Sequence, residues 1–196
     1  MKIKITAAVL LFCILLTGCT QIVKPSEITV QQEPETTICL IPNSYFEFSG
    51  SDPEKEVKSL NDLGPEYCTS ATLTEEGIKA ELTEVQREHL IERNNRFISK
   101  FLENYTAANS KYTYETDSEY KKLVFYFDER IPIFVEMRAV FGTATGYCLN
   151  QILLNRTDWS VDITIYNCHT KKEVASITVP GEEGSFGAED WERSYH

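Results

Sequence analysis

The sequence predicts an α+β fold, a two-layer sandwich with helices packed on one mixed β-sheet, and three observations predict it. Residues 84–106 carry apolar side chains at helical spacing. Residues 159–168 and 173–179 alternate apolar and polar with a period of two around a polar turn. Between a β-rich run and that hairpin, residues 133–154 read as a second helix, and a strand, helix, strand order permits a right-handed crossover within one sheet.

Taken in order, ICLIPNSYFEFSG at 38–50 is apolar and aromatic with Pro42 inside it. Proline has no N–H to give to a ladder, so this stretch reads as an edge strand or as a segment lying across the domain. Residues 51–81 mix turn formers with charges and predict one short helix. Thr83 and Gln86 have the spacing of a capping box, in which hydroxyl and amide satisfy two of the N–H groups left open at a helix start. Leu90, Ile91, Phe97, Ile98, Phe101, Leu102 and Tyr105 then recur on one stripe, read as a core face, with Glu92, Arg93, Arg96, Lys100 and Glu103 elsewhere. Runs at 112–115 and 120–127 around Asp117-Ser118 predict a hairpin.

In 133–154, residues 134–141 alternate well enough for a strand. Against that, Glu136, Thr143 and Asn150 recur every seven residues and Gln151 joins them, so the segment reads as one helix rather than two strands. Pro132 suits its first turn. Gly142 and Gly146, four apart, let a neighbour pack closely. Trp159, Val161, Ile163 and Ile165 fall on one face of the following strand, and 173–179 pairs with it across His169-Thr170-Lys171-Lys172. The turn-rich acidic tail is expected to fold back and bury Phe186, Trp191 and Tyr195.

At the N-terminus, Lys2 and Lys4 precede ITAAVLLFCILL, a dozen mostly apolar residues that fall short of the ~20 a membrane span requires. The run ends in Leu16-Thr17-Gly18-Cys19. These residues resemble the lipobox of bacterial lipoproteins: an aliphatic residue, a small residue, Gly or Ala, then cysteine. The resemblance covers residues 1–20 alone. It implies a signal peptide over 1–18 cut before Cys19, and a diacylglyceryl group on the Cys19 thiol as a thioether. Such an anchor places the chain on the extracytoplasmic face of a bacterial membrane without crossing it; the alternative is an uncleaved membrane helix over 5–16. Thr20 follows the cysteine, so the Asp that resembles an inner-membrane retention signal is absent. Residues 19–37 are polar with two prolines and read as a lipidated flexible tether, leaving 38–196 as a single globular ectodomain.

Removing residues 1–18 leaves 178, and takes away Lys2 and Lys4 but no acid, so the net charge of −11 becomes −13. That balance opposes nucleic acid and anionic surfaces as partners. Cys39, Cys68, Cys148 and Cys168 remain after processing; in an exported chain they suit two disulfides in any of three pairings, or four free buried thiols. No C-x-x-C spacing exists and His89, His169 and His196 are scattered, so no metal or cofactor is expected.

No phosphate loop, nucleophile elbow or zincin pattern occurs. Two carboxylates are the least equipment for glycoside hydrolysis, and Asp128, Glu129 and Asp158 stand where strands meet loops. Helix capping and solvation explain the same positions. The sequence therefore favours a membrane-anchored, non-catalytic envelope domain that binds a small ligand or an envelope protein. A small hydrolase of glycan or peptidoglycan using Asp128, Glu129 and Asp158 is the catalytic alternative, and a purely structural envelope protein is the third.

Overall fold

Thr83 opens the longest element of the chain. In the computed structural model, which describes residues 34–128, 134–181 and 186–196, its hydroxyl accepts from Gln86 N–H at 3.2 Å. The Gln86 side chain accepts from Thr83 N–H at 2.8 Å, closing the expected capping box. Helix α3, Glu84–Ala108, follows, two residues longer than its predicted end. The signal, Cys19 and most of the expected tether lie outside the described residues, as do Glu129 and Pro132. Pro34–His196 forms one compact unit.

Among the described residues, seven strands make two sheets. The first is antiparallel throughout, with β1 (Thr37–Pro42) and β2 (Ser70–Thr74) flanking β3 (Gly77–Leu82). Its Gly77 has φ 135°, and a Cβ there would meet the Ile41 carbonyl oxygen at 2.1 Å, so only glycine fits between the strands. The second sheet runs β4 (Thr113–Thr116), β5 (Lys122–Phe127), β6 (Val161–Asn167), β7 (Glu173–Val179). Only β5 and β6 are parallel in it, and the connection between them contains helix α4, Phe134–Leu153. The α+β class with helices on a mixed sheet is therefore present. The strands do not join into the one sheet expected, because residues 37–82 pair among themselves.

Helix α4 settles the 133–154 segment as one helix. It packs on α3 and on strands of both sheets, burying Val140, Ala144 and Cys148 completely. The inward row Leu123, Phe125, Phe127 of β5 and Val161, Ile163, Ile165 of β6 is likewise sealed, each such side chain contributing roughly 1.5–3 kcal/mol. The polar stripe of α4 is buried too: Glu136, Thr143, Asn150 and Gln151 are all at most 3% exposed.

Strands β2 and β3 and the helices over Asn43–Ser49 and Ala188–Tyr195 were not foreseen as such. Helix α1, Asn43–Ser49, starts directly after Pro42 and closes on Gly50 in the left-handed region. Helix α2, Pro53–Asp62, has Asp52 as its cap, accepting from Glu54 N–H at 3.0 Å, and is the short helix expected in 51–81; the hairpin β2–β3 in that same span is new. Helix α5, Ala188–Tyr195, makes the tail helical. Of the three aromatics expected to be buried, Trp191 is buried completely beside Phe127, at 5.1 Å between rings, whereas Phe186 and Tyr195 are half-buried. Asn167 donates to Ser194 Oγ at 3.0 Å and Thr170 to the Ser194 carbonyl at 2.7 Å, fastening α5 to the β6–β7 turn.

Candidate functional site

The residues singled out in sequence fall at two ends of the second sheet. Asp128 follows β5, and Cys168 and His169 follow β6, alongside it: Cys168 N–H donates to the Phe127 carbonyl at 3.0 Å. The Asp128 Oδ2 lies 2.5 Å from His169 Nε2. Asp158 precedes β6 and is exposed at the opposite end. The seven residues of β6 alone separate those ends by roughly 20 Å at ~3.3 Å per residue. Paired glycosidase carboxylates stand about 5–9.5 Å apart, so Asp128 and Asp158 do not form such a pair. Glu129 lies outside the described residues.

Cys168 beside an Asp–His pair invites a thiol mechanism, but its electrostatics oppose one. Burial pushes its thiol up, and Asp128 pushes it further in the same direction, whereas a nucleophilic cysteine requires a lowered value. The other thiols behave alike: burial raises Cys39 and Cys68, and takes Cys148 up to about 12. All four are free and buried. Among the described residues, no three His, Cys, Asp or Glu side chains gather as a metal site would demand.

A concave feature of the unit lies elsewhere, where α1 and α2 stand beside the α3–α4 pair. It is a cleft of about 770 Å³, within the ~300–1,000 Å³ typical of ligand sites. Its walls follow from helical spacing. Leu90, Phe97, Ile98 and Phe101 of α3 face Met137, Phe141, Leu149 and Leu153 of α4, with Tyr45 and Phe46 of α1 and Leu60 of α2 closing the sides. Helix α2 has no fully buried residue, because the apolar side it presents, including Leu60, borders this space instead of a sealed core. The α3 stripe read from sequence as core thus splits: Leu90, Ile98, Leu102 and Tyr105 are buried, whereas Phe97 is 47% exposed and lines the cleft with Phe101.

The two glycines of α4 shape the seam beneath the cleft. A Cβ on Gly142 would meet the Phe101 ring at 2.8 Å, and one on Gly146 would meet Ile98 Cγ1 at 2.7 Å. Amides lock the same seam. Asn94 Nδ2 donates to the Gly146 carbonyl at 2.7 Å and to Asn150 Oδ1 at 2.8 Å, and Asn150 Nδ2 donates to Asn95 Oδ1 at 2.8 Å. The charged lining consists of Arg93, Arg138 and Glu56. Each arginine lies over an aromatic ring of α3: Arg93 over Phe97 at 5.2 Å and Arg138 over Phe101 at 5.8 Å. Sequence reading placed Arg93 among solvated residues and did not single out Arg138. The i, i+4 spacing of Arg93 and Phe97 was the signal available, and many solvated helix faces share it.

Comparison of the chain with family models, with curated proteins and with solved structures gave no match.

Proposed function

We propose that the chain is an extracytoplasmic lipoprotein, held on a bacterial membrane by a diacylglyceryl group on Cys19, whose folded unit binds a small, largely apolar ligand between α1, α2, α3 and α4. The cleft of about 770 Å³ carries this reading. Its apolar walls are left open to solvent where a domain of this size ordinarily buries such side chains, and a few polar groups stand at its edge, the usual composition of a ligand site. The sequence of residues 1–19 supports the anchoring. The catalytic alternative draws no support from the geometry, since Asp158 stands far from Asp128 and the Cys168 thiol is shifted the wrong way for attack.

A thermal-shift series tests the reading on the mature chain, residues 19–196, with Cys19→Ser to prevent acylation. Single-chain amphipaths at a hundredfold excess over their Kd should stabilise it by about 2.7 kcal/mol. Thr145→Trp, which sets an indole into the cleft from α4, should abolish the shift while leaving the protein's own melting temperature within a few degrees. An equal shift in parent and Thr145→Trp, or none in either, would refute ligand binding at this place.

A further inference from the structure

We infer that the cleft selects a monoanionic amphipath, a long-chain carboxylate whose head is seated by Arg93 and whose chain lies between α3, α4 and α1; the inference rests on the ligand reading just given. Three observations lead to it.

The first is charge. The chain holds 30 acidic against 19 basic residues, yet the charged lining of the cleft is two arginines and one glutamate. Against a net charge of −11, Arg93 makes this concavity a place where a carboxylate head meets a cation. The second is the state of Arg93. Arg87, Arg96, Arg156 and Arg193 each donate to an oxygen of the protein. Arg93 is half-buried and has its ring contact with Phe97 but no hydrogen bond or ion pair among the described residues. A guanidinium taken partly out of water without an oxygen partner keeps its planar fork of donors for one, and the fork fits a carboxylate. The third is preorganisation. Contact with the Phe97 ring at 5.2 Å restricts the Arg93 guanidinium before a ligand arrives, so less side-chain freedom is lost on binding. The remaining lining, with Phe97, Phe101, Met137, Phe141 and Leu149 along it, suits an alkyl chain and offers a purely polar anion nothing.

Calorimetric titration of the mature Cys19→Ser chain with decanoate, decanol and decyltrimethylammonium, at a pH well above the carboxylate range, separates the possibilities. Decanoate should bind about tenfold tighter than decanol, and decyltrimethylammonium weakest, as a charge-assisted bond to arginine dictates. Arg93→Gln should weaken decanoate about tenfold and leave decanol unchanged, Arg93→Lys should recover part of the loss, and Glu56→Gln should tighten decanoate. Unaltered decanol binding certifies that the variants keep the cleft. Equal affinity for the three heads, or a preference for the cation, would overturn the anionic selection and leave the cleft as a ligand site. Failure of all three probes to bind would overturn the ligand reading itself.

Discussion

Gln151 holds three backbone groups with one amide. Its Nε2 donates to the Tyr120 carbonyl at 2.7 Å and to the Ser160 carbonyl at 2.8 Å, and its Oε1 accepts from Ser160 N–H at 3.4 Å. The side chain is fully buried, so it joins the start of β5 to the start of β6 from inside α4. A buried acceptor left without its donor costs about 1–3 kcal/mol, and Gln151→Leu strands two. That variant should lose about 2–4 kcal/mol in urea denaturation with little change in helix content. A loss under about 1 kcal/mol would show that the carbonyls find other donors. The seven-residue recurrence of Glu136, Thr143 and Asn150 made the polar stripe legible in sequence, but a stripe has no intrinsic direction. Spacing alone did not reveal that it faces inward, where Glu136 Oε2 and Thr143 Oγ1 have no hydrogen-bond partner among the described residues.

At the scale of elements, the α3–α4 seam is the contact on which the cleft depends, and Gly146 tests it. Alanine in a helix interior is worth about 1 kcal/mol over glycine. Here its methyl would sit 2.7 Å from Ile98 Cγ1, in a β-branched side chain with few rotamers and only 6% exposed, and overpacking costs about 1–3 kcal/mol. Gly146→Ala should therefore melt lower than the parent, and Gly146→Ala with Ile98→Ala should be less destabilised than the two single changes summed. A Gly146→Ala protein more stable than the parent would disprove the tight seam. The elements that sequence reading recovered share one property: α3, α4, β6 and β7 are long or strongly periodic, so burial on one side leaves its period in the residues. Where burial is mixed, the period fails. Helix α1 spans seven residues and β2 has only Ala71 buried, so neither wrote a pattern. The cleft was illegible for a related reason. An aromatic stripe facing a sealed core and one facing an open cleft have the same spacing, and only the positions of α1 and α2 distinguish them.

For the whole molecule, the fold and the proposed anchor should be separable, and their separation is measurable. Pro34–His196 is a compact unit with its own core, so its stability should not depend on what Cys19 carries. Anchoring, by contrast, should depend on Cys19 alone. Each buried methylene of an acyl chain contributes about 0.8 kcal/mol, and two chains make the difference between reversible and stable attachment. Residues 19–36 span at most about 60 Å when fully extended, so the cleft would stay near a surface rich in amphipaths of the class it is proposed to select. Cys19→Ser in the full chain should then give a precursor that retains residues 1–18 and incorporates no labelled fatty acid. The melting temperature of its folded unit should match that of the mature Cys19→Ser protein to within a degree or two. Fatty-acid labelling equal to the parent, or a mature N-terminus at residue 19 in the variant, would remove the lipobox reading; a higher melting temperature in the precursor would show instead that residues 1–18 contribute to the core after all.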